Sequence, residues 1–158
     1  MTSEFDKLLF EDAESIEYQN LPEDFLHRLV IEQDDQFVAT NALAELSKRG
    51  SGGEISAKIL KTGIGDNHLK AQAFSVLYRA DMDSALRLLP ELLPNANTTM
   101  LSSIAEMLNM DLEQLLTAED GRSIVRALAH QILSKQLEEF SDSREIESFL
   151  VAVKSSGG

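Results

Sequence analysis

The chain has 158 residues, of which 43% are hydrophobic and 26% charged, and it carries a formal charge of −13 with no cysteine. That length suits one domain with a real core, and the composition excludes wholesale disorder. The missing cysteines exclude a disulfide framework, a thiolate zinc site and a cysteine nucleophile, while the negative field disfavours direct contact with nucleic-acid phosphates.

Three prolines and eight glycines in a chain with no alternating β-branched run predict an all-α fold. Residues 1–20 hold Phe5, Leu8, Leu9, Phe10, Ile16 and Tyr18 among many acids, and are expected to form an acidic N-terminal cap. Met1 to Asp6 contains neither a basic stretch nor a long apolar run, so no signal peptide is expected and the cytoplasm is the expected location. No apolar run approaches the ~20 residues that span a bilayer.

Helical repeats are expected over residues 21–140. Pro22, at a first-turn position followed by Glu23 and Asp24, opens a helix whose stripe is Phe25, Leu26, Leu29 and Val30. Gln33-Asp34-Asp35 ends it. The next helix, about Gln36 to Lys48, carries Val38, Ala42 and Leu46, and these recur at a step of 31 as Leu69, Ala73 and Leu77, then as Met100, Ile104 and Leu108. Asn41, Gln72 and Ser103 keep the same phase. Apolar residues at i, i+4 and i+8 form one stripe of a helix, and a period between 20 and 50 marks a repeat stack whose units bury their faces against neighbours.

Between these copies lie a glycine break at Gly50-Ser51-Gly52-Gly53, a short helix with Ile55, Ile59 and Leu60, and a turn at Thr62-Gly63. Asp66 or Asn67 is expected to cap the second copy. Asp81 or Asp83 opens a helix through Leu86, Leu88, Leu89, Leu92 and Leu93, with Pro90 expected to bend it. After Met110 a shortened helix holds Leu112, Leu115 and Leu116, and Asp120-Gly121 reads as a turn. Val125, Ala129 and Leu133 repeat the stripe 25 residues after the third copy, in a helix that could reach Phe140. Residues 141–154, with Ile146, Phe149, Leu150 and Val153, are expected to form a C-terminal cap helix before a disordered tail at 155–158.

The pattern resembles HEAT repeats, the paired-helix units of right-handed α-solenoids. Leu88-Leu89-Pro90-Glu91-Leu92-Leu93 is similar to the family's first helix with its bending proline. Asp66, Leu69, Lys70, Ala73 and Leu77 are similar to its second helix, as are Asp35, Val38, Ala42 and Leu46, and Val125-Arg126 with Ala129 and Leu133. The third copy departs, with Asn97 and Leu101 where Asp and Arg are common. The resemblance spans roughly residues 22–135. It implies a protein-binding surface and no catalytic residues or cofactors of the family's own.

Motifs for other chemistry are weak. His27, His68 and His130 are far apart and in no metal-binding spacing. Gly63-Ile64-Gly65 lacks the strand, third glycine and Gly-Lys ending of a phosphate loop, and reads as an inter-helix turn. Asp81-Met82-Asp83-Ser84 and Glu32-Gln33-Asp34-Asp35 lack the glycine and distal glutamate of a calcium loop, and read as helix ends. No Gly-x-Ser-x-Gly elbow is present.

Charge is unevenly spread. Residues 1–36 hold eleven acids against Lys7 and Arg28, a net of −9, whereas residues 37–105 carry a net of +1. The candidate partner-binding residues are therefore Glu11, Asp12, Glu14, Glu17, Tyr18, Asp34 and Asp35, with metal, cofactor and catalytic residues expected to be absent. The expected function is a non-enzymatic protein-interaction module for a basic partner, in its most concrete form an inhibitor or immunity protein against a toxin nuclease. The rival readings are a chaperone or adaptor for a secreted protein and an enzyme with its site in the solenoid groove. Neither nucleic acid nor membrane is an expected partner.

Overall fold

The computed structural model describes residues 15–32, 35–135 and 143–155. Every regular element among the described residues is helical. A 3-10 turn, Tyr18–Asn20, precedes α1 (Glu23–Glu32), α2 (Gln36–Lys48), α3 (Gly53–Thr62), α4 (Asn67–Ala80), α5 (Met82–Leu92), a second 3-10 turn (Leu93–Asn95), α6 (Thr98–Met110), α7 (Leu112–Leu115), α8 (Glu119–Leu133) and α9 (Arg144–Ser155). The chain divides into two compact units, one ending at Asp81 and one beginning at Met82.

In the first unit α1 packs on α2, α3 on α4, and α2 on α4. The repeated stripe is the reason. Val38, Ala42 and Leu46 of α2 and Leu69, Ala73 and Leu77 of α4 are all buried, as are Leu43 and Phe74, a second stripe one residue further round. A buried Leu or Phe contributes about 1.5–3 kcal/mol, so this two-ridge face holds the unit together. Phe25 of α1 is only half-buried, while Leu26, Leu29 and Val30 carry its contacts.

Polar bonds fix the same register. Gln72 Nε2 donates to the Thr40 carbonyl at 3.0 Å, and the Asp66 N–H donates to Gln36 Oε1 at 3.0 Å, so α4 is tied to α2 near both helix starts. Arg49 reaches back from the end of α2 to the carbonyls of Tyr18 and Gln19, and pairs with Glu45 at 3.1 Å. Ser51 donates to Glu23 at 2.8 Å. Gly63 closes α3 with φ at 73°, its N–H on the Ile59 carbonyl, a left-handed position that favours glycine. The Gly63-Ile64-Gly65 stretch is thus an inter-helix turn.

Helix starts repeat as strictly as the stripes. Asp35 accepts from the Phe37 N–H at 2.9 Å, Asp66 from Leu69 N–H at 2.9 Å, and Asn97 from Met100 N–H at 3.0 Å. The three caps stand 31 residues apart, each satisfying a backbone donor that the first turn leaves open.

The second unit pairs its helices differently. α6 packs chiefly on α9, and also on α8, while α5 contacts α8 and the 3-10 turn that follows it. α5 continues past Pro90 to Leu92. Met100, Leu101, Ile104, Ala105, Met107 and Leu108 are buried on α6, and Ile146, Phe149 and Val153 on α9. Asn109 Nδ2 donates to the Glu145 carbonyl at 3.1 Å.

Two sequence expectations fail here. Asp120-Gly121 is not a turn but lies in the first helical turn of α8, where Glu119 and Asp120 suit the helix dipole and no side chain caps the start. Leu133 does not continue the stripe of Val125 and Ala129: it is 58% exposed, and the buried set is Val125, Leu128, Ala129 and Ile132. Positions four apart advance around a helix by ~40° each time, so the second step carries Leu133 off a narrow buried face.

Ser56, in the middle of α3, is fully buried, and its Oγ is the one buried side-chain polar atom without a hydrogen bond among the described residues. Replacing it by alanine removes an unmet hydroxyl and adds helix propensity. Ser56→Ala is expected to stabilise the chain by about 1 kcal/mol, measured by urea unfolding; a loss of stability would mean that the hydroxyl has a partner.

Candidate interaction surface

The start of α2 and the 3-10 turn before α1 meet at one edge of the first unit. The Asp35 cap turns the chain into α2, so that Phe37 and Asn41 lie one helical turn apart on the same face. Asn41 hydrogen-bonds the Tyr18 hydroxyl, and the Asp35 carboxylate lies close enough to act on it electrostatically. The Tyr18 phenol is pushed above its usual value of 10.0, first by burial and then by the charge of Asp35, with the Asn41 bond opposing both. The stability tied to this neutral phenol is whole below pH 10.0 and fades as pH rises through the raised value.

Of the residues expected to bind a partner, Tyr18 and Asp35 are therefore brought together, although 17 positions separate them in the chain. Glu17 is exposed beside them and accepts from Asn20 Nδ2 at 2.8 Å. Glu11, Asp12, Glu14 and Asp34 lie outside the described residues.

Sequence reasoning missed Phe37. It is 77% exposed, the most exposed large apolar side chain among the described residues, while the adjoining Val38 and Ala39 are fully buried. A signal was available: stepping 31 residues from Phe37 reaches His68 and Thr99, both polar, so the repeat does not ask for an aromatic there.

The same phase carries a cross-link. Gln72 of α4 reaches the preceding repeated helix at Thr40, and Asn41, its equivalent in α2, reaches Tyr18.

Hollows among the described residues include the following two. One of about 420 Å³ between α1 and α3 is lined by His27, Arg28, Ile31, Glu32, Glu54, Ile55 and Lys58. Its charges are mixed, and Arg28 already pairs with Glu32 at 3.1 Å. Another of about 640 Å³ between α5 and α8 is lined by Met82, Leu86, Pro90 and Ile124 together with Asp83, Arg87 and Asp120. His27 is half-buried and borders the first, whereas His68 and His130 are exposed. No group of three His, Asp or Glu side chains among the described residues is placed to hold a metal ion, and no described helix is long and apolar enough to cross a membrane. No protein-family model, curated protein or solved structure matches the chain.

Proposed function

We propose that this chain is a short HEAT-like helical repeat module of the α-solenoid class that works by binding another protein, and that the partner is basic. The reading assigns it no catalysis or cofactor and places it in the cytoplasm. The observation that carries it is the edge at Tyr18, Asp35 and Phe37, where an exposed aromatic side chain directly follows, in the chain, the 36 residues that hold most of the excess negative charge. Exposed aromatic surface joined to one sign of charge is what a protein partner of the opposite sign recognises.

The HEAT-like part of the reading is supported by the equal spacing of the caps Asp35, Asp66 and Asn97, which stand where that family commonly has an acid before its second helix. Buried stripes at the same step, and the α1–α2 and α3–α4 pairs, support it further. A concrete form of the function is an inhibitor, such as an immunity protein that neutralises a toxin nuclease. A nuclease must present a basic surface to phosphate, and an anionic module can cover it and be steered to it at long range.

Affinity capture with the tagged full-length chain in its native cell, read by mass spectrometry, tests the reading. The expected result is enrichment of a basic protein that rebinds the purified chain in solution. Enrichment of nothing above an untagged control would contradict it, as would a partner of acidic charge.

A further inference from the structure

We infer that the edge formed by Phe37, Asp35 and Tyr18 takes an arginine-bearing segment of the partner, with a guanidinium laid on the Phe37 ring beside the Asp35 carboxylate. The inference rests on the proposed binding function and names the chemistry of its contact.

Three observations select arginine. The Phe37 ring is almost free of protein neighbours, yet it springs from a helix whose next two residues are fully buried, so its backbone position is rigid. The Asp35 carboxylate is held against the Phe37 N–H at 2.9 Å, which fixes a negative charge at the base of that ring. The 36 residues that precede Phe37 in the chain carry a net −9.

A cation is drawn to the electron-rich face of an aromatic ring, and more strongly where other negative charge surrounds it. Guanidinium is planar, so it can stack on the ring while directing N–H donors at a carboxylate in its own plane. The ammonium of lysine is a compact, strongly hydrated charge that cannot do both. The Tyr18 hydroxyl is bonded to Asn41, one turn along the helix from Phe37.

The test uses the full-length chain and two defined probes, nona-arginine and nona-lysine peptides, titrated by fluorescence anisotropy at physiological salt. Wild-type protein is expected to bind the arginine peptide about fivefold more tightly than the lysine peptide. Phe37→Leu, which keeps an apolar side chain and removes the ring, is expected to bring that ratio near one. Asp35→Asn, which keeps a capping side chain and removes the charge, should do the same. Glu113→Gln, an equal loss of charge on α7, should leave the ratio unchanged. Equal affinity for the two peptides in the wild type would overturn the inference, as would an unchanged ratio in Phe37→Leu. Self-association of the wild type that Phe37→Leu abolishes would also overturn it, by showing that a second copy covers the ring. If charge reversal of the N-terminal acids releases the captured partner but Phe37→Leu does not, the binding function stands and this contact falls.

Discussion

Gly121→Ala is expected to destabilise the chain by about 3 kcal/mol or more. Gly121 is buried in the first turn of α8, and a Cβ added there would collide with the carbonyl oxygen of Leu115 and lie 2.8 Å from its carbon. The obstacle is backbone, so no rotamer change relieves it; α7 and α8 would have to part. The sign of the effect is informative. Helix propensity alone favours alanine over glycine by about 1 kcal/mol in a helix. Thermal or urea unfolding of the variant decides between the two: a loss of stability follows from the close approach of α8 to Leu115, and a gain would mean that approach is absent.

Phe74→Ala is expected to cost about 3–5 kcal/mol, the range for emptying a large buried aromatic site. Phe74 is fully buried on α4, a helix that packs on both α2 and α3, with its ring centroid 6.0 Å from that of Tyr78. Its equivalents at the 31-residue step, Leu43 and Ala105, are also fully buried, so the position belongs to the core in every copy while its size varies. Phe37→Ala makes the contrast. The same side chain is lost from an exposed site, and the effect on stability should stay within about 0.5 kcal/mol. Urea unfolding of both variants checks the pair; equal costs would contradict the assignment of one phenylalanine to the core and the other to a binding edge.

Much of the scaffold was legible because its signals are local. The stripes at 38, 69 and 100 depend only on helix periodicity, and the starts of α2, α4 and α6 depend on a short polar side chain before a helical run. The second stripe, Leu43 and Phe74, was missed because a search at i, i+4 and i+8 follows a single ridge, whereas a helix clasped on two sides buries a wider arc. Leu133 was misread for the opposite reason, since α8 buries a narrower face and the same ridge runs off it.

Gly121 shows the limit of glycine as a punctuation mark. After an aspartate it reads as a turn, but the need it meets is contact with Leu115, six positions away, which only packing reveals. The approach of Tyr18 to Asp35 is equally invisible in the chain, because it depends on how the 3-10 turn is seated by Arg49 and Asn41. The charge asymmetry, by contrast, needs no fold to be read, and it named Glu17, Tyr18 and Asp35 without identifying the exposed ring of Phe37, two residues after Asp35.

The most direct test of the central claim is the dissociation constant of the captured partner across a salt series, for the wild type and for the full-length chain with Glu11, Asp12, Glu14 and Glu17 all changed to lysine. Binding through the acidic segment predicts wild-type affinity that falls steeply as salt rises, and a loss of about 100-fold in the variant at low salt, shrinking as screening removes the long-range attraction. Affinity that is the same in both proteins and flat across the series would contradict it.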